Sequence, residues 1–78
     1  MKRYSKAWYE LEVYGVIGRK PNTENDARMI VTKSNARKAA VKLNHMGYSE
    51  LRLVEMGKIK TLGASQAREV NTFTPDFF

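Results

Sequence analysis

From Ala7 to Ile17 apolar and polar residues alternate, with Tyr9, Leu11, Val13 and Ile17 on one side and Trp8, Glu10, Glu12 and Tyr14 on the other. That period of two predicts a half-buried strand. The stretch Gly18 to Asp26, GRKPNTEND, is dense in turn formers and holds Pro21, so it reads as a loop. Alternation resumes over Ala27 to Thr32, with Ala27, Met29 and Val31 as the inner set. Together the two runs predict a hairpin with a long loop.

The period then changes. Ala36, Ala39, Ala40, Leu43 and Met46 recur at spacings of three and four, which lines one side of an α-helix. Ser34 is placed to cap its start, and Gly47 supplies the left-handed residue that commonly ends a helix. The small alanines of the inner stripe let such a helix sit close to a sheet. Its opposite side carries Arg37, Lys38, Lys42 and His45, with Val41 among them. Further on, Glu50 to Met56 sets Leu51 and Leu53 against Arg52 and Val54, Gly57 offers a tight turn, and Lys58 to Leu62 reads as a return strand. Gly63 to Ala67 is a polar connector, Glu69 to Phe73 fits a fifth strand, and the chain ends in TPDFF, so residues 63–78 form an extra strand or a flexible aromatic tail.

The order strand, strand, helix, strand, strand predicts an α+β fold: an antiparallel sheet of four to five strands with one helix packed on one face and the other face open. A helix that returns across the sheet makes the third strand parallel to the second, and placing it beside the first leaves all neighbours antiparallel. The expected sheet order is second, first, third, fourth. The open face would present Trp8, Glu10, Glu12, Tyr14, Arg28, Ile30, Arg52, Val54, Lys58 and Lys60. No internal repeat, heptad run or low-complexity tract is present.

Composition narrows the function classes. A length of 78 residues fits one small domain, 1–78, with little core to spare for a deep cleft. The absence of cysteine removes disulfides, thiolate zinc sites and cysteine nucleophiles, and fits a cytoplasmic setting. The charged segment Met1 to Ala7 is not followed by a continuous apolar run, so neither a signal peptide nor a membrane span is expected, and no membrane partner. Fourteen Lys and Arg against eight Asp and Glu leave a net charge of +6, which meets the electrostatic screen for nucleic-acid binders.

Reactive constellations are missing from the pattern. His45 is the single histidine and the carboxylates are scattered, so no metal and no cofactor are expected. Glu10 and Glu12 share a strand side, but on an open sheet they read as ion-pair partners of Arg28, Arg52 and the lysines of the second hairpin. No GxGxxG or P-loop occurs. The chain is therefore expected not to be an enzyme, and two binding surfaces stand out. The basic helix side, Arg37, Lys38, Val41 and Lys42, extended by Lys33, Arg19 and Lys20, can follow a phosphate backbone. The sheet face, with Trp8, Tyr14, Arg28 and Arg52, has the makings of a stacking platform, although Glu10 and Glu12 suit a protein partner better. Self-association through Trp8, Tyr14 and the aromatic tail is a third reading, and cover of Trp8 and Tyr14 by Phe73 to Phe78 is the structural alternative.

The element order over Ala7 to Leu62, with its compact basic helix, resembles small phage-encoded inhibitors of bacterial CRISPR effector complexes. The likeness is one of architecture, without signature residues. It implies a non-enzymatic phage or mobile-element accessory protein, working in the host cytoplasm, that occupies a surface of a host protein or ribonucleoprotein complex. The alternative is direct, largely sequence-independent binding of DNA or RNA through the helix and the Gly18 to Asp26 loop.

Overall fold

The computed structural model describes residues 5–21 and 24–77. Met1 to Tyr4, Asn22, Thr23 and Phe78 lie outside them, and with them the charged start of the chain, the middle of the predicted loop and the last residue of TPDFF. Four strands, β1 (Glu12–Arg19), β2 (Ala27–Thr32), β3 (Ser49–Lys58) and β4 (Asp76–Phe77), form one antiparallel sheet in the order β3-β1-β2-β4. Three helices, α1 (Lys6–Tyr9), α2 (Ala36–His45) and α3 (Ala64–Glu69), and two 3-10 turns, Lys33–Asn35 and Ile59–Thr61, complete it. The class is the one expected: α+β, strand, strand, helix, strand, strand, with a helix on the sheet. As the helix argument requires, α2 carries the chain back so that β3 runs antiparallel to β1 on the side that β2 leaves free.

Pairing fixes which side chains share a face. Val16 lies opposite Met29 on β2 and Leu53 on β3, and this row belongs to the face beneath α2. Ala27, Met29 and Val31 form the inner set of β2 as expected, packed with Val16, Ala39, Leu43 and Tyr48. Leu43 is wholly buried, which stabilises by about 1.5–3 kcal/mol relative to an exposed leucine. Ala39 is also wholly buried, so the small stripe does bring α2 down onto the sheet, while Met46 stays exposed.

The orientation of β1 differs from the expectation. Glu12 and Tyr14 fall on the α2 side with Val16, and Val13 and Ile17 point to the opposite face. Every residue from Val13 to Gly18 is buried. A central strand covered on both faces carries no polar alternation that could mark the inner one.

Both ends of α2 follow local rules, one of them anticipated. At its C-terminus Gly47 has φ +94°, its N–H donates to the Asn44 carbonyl at 3.0 Å, and the Tyr48 N–H donates to the Leu43 carbonyl at 3.0 Å. These are the two bonds of a Schellman motif, closed by burial of Tyr48 against Leu43. At the N-terminus Ser34 does not cap the helix. It lies within the 3-10 turn, its Oγ 3.4 Å from Thr32 Oγ1, and the α-helix begins two residues later.

The second face is not open throughout. Val13 and Ile30 are buried there beneath Ile59 and Val70, with Trp8, Met56, Leu62 and Ala67 packed around them. The expected return strand Lys58 to Leu62 is a 3-10 turn that drives Ile59 under the sheet, and the Ile59 N–H donates to the Leu11 carbonyl at 3.1 Å. Glu69 to Phe73 is no strand either, since Glu69 ends α3. Gly57, at φ +88°, is no hairpin turn. It marks a bulge in β3, where the register shifts between Val13 and Tyr14, and a second shift between Ile17 and Arg19 coincides with Glu50 at φ +53°.

The two outer edges differ. On β2, the Asn71 N–H donates to the Ile30 carbonyl at 3.0 Å, its Oδ1 accepts from the Thr32 N–H at 3.0 Å, and its Nδ2 donates to Thr32 Oγ1 at 3.2 Å. Further along, β4 pairs Phe77 with Ala27 and Asp76 with Arg28. Residues 63–78 thus supply α3 and the fourth strand. On β3, no strand among the described residues pairs with the outer edge.

Candidate binding surface

Most of the cations expected to bind are held by neighbours. The Asp26 carboxylate accepts from Arg19 Nε at 2.8 Å and from Arg52 at 3.3 Å, and that bond raises the Arg19 pKa above its ordinary value. Arg28 reaches Asp76 at 3.3 Å and so ties β4 to β2. Lys58 and Lys60 donate to Glu10 at 3.1 and 2.8 Å, and these bonds, that of Lys60 foremost, hold its carboxyl below the usual range. Lys20 lies 5.2 Å from the centre of the Tyr48 ring at the C-terminal end of α2, where the helix carbonyls favour a cation. Lys38 lies 5.0 Å from the Phe73 ring.

The two aromatics are separated rather than side by side. Trp8 sits on α1, whose start is capped by Ser5 Oγ accepting from the Trp8 N–H at 3.3 Å, and is half-buried against the second face. Tyr14 is buried on the α2 side, and its hydroxyl donates to Glu12 at 3.3 Å. Burial, and after it the Glu12 carboxylate, pushes that hydroxyl pKa up. Trp8 and Tyr14 therefore flank the sheet from opposite sides and form no common platform, and Arg28 and Arg52 are already matched to carboxylates.

What remains uncommitted is on and beside α2. Lys33, Arg37 and Lys42 make no ion pair or ring contact among the described residues, and Val41 between them is 50% exposed. They do not form a single ridge: five residues at about 100° each put Lys42 about 140° round the helix from Arg37. Val41 stands at the crest, Arg37 descends toward β3, and Lys42 descends on the Lys38 flank, toward Phe73. Lys33 lines a depression with Glu10, Glu12 and Lys58, in mixed charge.

Between α2 and β3 runs an open groove lined by Val16, Ala36, Arg37, Ala40, Leu51, Arg52 and Leu53. Leu51, Leu53 and Val54 are 37%, 55% and 42% exposed. Sequence reasoning placed Val54 on the open face but missed Leu51 and Leu53 as surface residues, because it set a fourth strand at Lys58 to Leu62 beside them. The sparse signal was the run Leu51 to Val54 itself, three apolar residues in four.

Two further depressions on the described surface are likewise open to solvent, one bounded by Glu12, Tyr14, Glu55 and Lys58, another by Trp8, Ile59, Leu62 and Arg68. No group of three His, Cys, Asp or Glu gathers at metal-binding distance among the described residues, and His45 is exposed. No helix among them is long and apolar enough to cross a membrane. Comparison of the chain with protein-family models, with curated proteins and with solved structures returned no match.

Proposed function

We propose that this chain is a non-enzymatic binding protein, a phage or mobile-element accessory factor that inhibits a host nucleic-acid-handling complex, of which a CRISPR effector is one kind, by laying the outer surface of α2 on it. One observation carries the reading: the exposed Val41 and the charges of Arg37 and Lys42, uncommitted among the described residues, coincide on one short helix, while the other cations of the expected site, Lys33 apart, are matched to carboxylates or rings. An apolar centre with a charged rim is a common build for an interface. The element order supplies the choice of target, and it is shared by unrelated small domains. Affinity capture from nuclease-treated host lysate tests it. A stoichiometric protein partner retained by the wild type and lost by Val41→Glu is the expected result, and the absence of any such partner overturns it.

A second reading rests on the same three cations. Lys33, Arg37 and Lys42, without acidic partners among the described residues, can contact phosphates directly, in which case log K should fall with log salt at a slope of about −2 to −3 on duplex DNA. No binding to duplex or single strands at low salt rejects that reading.

A further inference from the structure

We infer that the outer edge of β3 is the seam of a symmetric dimer, and that its occupant is β3 of a second copy of this chain, antiparallel and centred on Leu53. Among the described residues the edge is open, and between the bulges at Glu50–Leu51 and Met56–Gly57 its register is unbroken from Arg52 to Glu55, with Leu51 at the end of that stretch. A bare regular edge is a template for another strand. A two-fold axis normal to the sheet keeps like faces together, so residues of the same parity come opposite one another. Centring on Leu53 sets Leu53 against Leu53, Leu51 against Glu55, and Arg52 against Val54.

Chemistry selects this occupant. On the α2 side, Leu51 and Leu53 of both copies join into one apolar strip, covering side chains that are 37% and 55% exposed in the single chain. Val54, 42% exposed, is covered on the other side. Charge fits as well: Arg37 lines the groove beside Leu51 and makes no ion pair, and Glu55 makes none among the described residues. The pairing brings Glu55 of each copy opposite Leu51 of the other, beneath that Arg37. Arg52 meets Arg52 of the second copy only on the diagonal, and each is already matched by its own Asp26 at 3.3 Å. The seam takes Arg37, leaving Val41 and Lys42 of both copies outward on the same side of a continuous sheet. The inference shares Arg37 with the proposed binding surface but not Val41 or Lys42, and self-association is read separately from capture of another partner.

Sedimentation of the full chain across a concentration series tests it. The wild type is expected to be a dimer, and Leu53→Lys to raise the dissociation constant roughly thirtyfold or more, as loss of a central interface residue does, with an unchanged circular dichroism spectrum and melting point at monomer concentrations. Arg37→Glu should weaken the dimer, and Arg37→Glu with Glu55→Arg should restore it. Because the chain has no cysteine, Leu53→Cys gives a clean register test: directly opposed Cα atoms lie about 4.5–5.5 Å apart, within disulfide reach, so oxidation should link the two copies. A monomeric wild type at every concentration overturns the inference, as does a dimer indifferent to Leu53→Lys or one the charge exchange fails to restore.

Discussion

Along the outer edge of β2 the C-terminal segment satisfies the backbone twice, first through Asn71 at Ile30 and Thr32 and then through β4 at Ala27 and Arg28, whereas the outer edge of β3 has no partner strand among the described residues. The covered edge is finished by polar groups: a side-chain amide mimics a strand, and an Arg28–Asp76 pair fastens the last residues. The bare edge is finished by shape. Its bulges, at Glu50 and Gly57, bend both ends away and leave a short regular stretch faced with leucine and valine. A protein can protect one edge with its own chain and leave the other for association, which is the division proposed here for β2 and β3.

The strongest way to break the contrast is to remove the Asn71 clip. Asn71→Ala leaves the buried Thr32 N–H without its acceptor and replaces, at φ +61°, a residue type that tolerates the left-handed backbone with one that does not, so the fold should lose about 2–4 kcal/mol in urea unfolding. Asn71→Gly should lose about 1–2 kcal/mol less than that, because glycine accepts the left-handed backbone. Next in size is Gly18→Ala on β1. The new methyl would lie 2.7 Å from Leu51 Cδ2 and 2.9 Å from Tyr48 Cβ, and the resulting overpacking where β3 enters the sheet should cost about 1–3 kcal/mol. Gly57→Ala, at φ +88° in the second bulge, should cost about 1–2 kcal/mol and expose how far bulging shapes the bare edge.

Smallest is the loss of Glu10, which binds Lys58 and Lys60 where β3 ends. Its folded-state pKa is lowered, so its contribution is complete above the ordinary carboxylate range and disappears as pH falls through that range toward the folded value. Wild type and Glu10→Gln should therefore differ slightly at pH 7, converge in melting temperature once the pH has fallen below the lowered folded-state value, and converge at pH 7 in molar salt. A difference that persists in acid would assign the effect to packing instead.

Particular residues explain what was legible. The hairpin of β1 and β2, the inner set Ala27, Met29 and Val31, the helix and its Gly47 end all rest on local patterns of period two, period 3.6 and positive φ, and the structure keeps them. The order of β2, β1 and β3 followed from the direction in which one helix returns the chain across the sheet, whereas the fourth strand lies beside β2 and not, as expected, beside the third. Lys58 to Leu62 was misread because Gly57 before it looked like a hairpin turn, yet Ile59 and Leu62, three positions apart, serve a 3-10 turn that caps the second face. Of the candidate site, Lys33, Arg37, Val41 and Lys42 were visible as a charged helix side with an apolar residue in it. Ion pairing of Arg28 and Arg52 was expected, but with Glu10 and Glu12; the actual partners of Arg19, Arg28 and Arg52 are Asp26, Asp76 and Asp26, which lie 7, 48 and 26 positions away.

The sequence by itself determined the class of fold, the helix with its C-terminal cap and the excess of positive charge, because each depends on neighbours within a turn or a pleat, or on a sum over residues. Only the tertiary structure decided which face of β1 meets α2, which cations remain without carboxylates, and which edge stays bare. Those outcomes depend on contacts between residues far apart in the chain, and the segment that settles most of them, residues 59–77, acts by covering one face and one edge of the sheet rather than by any periodic pattern of its own.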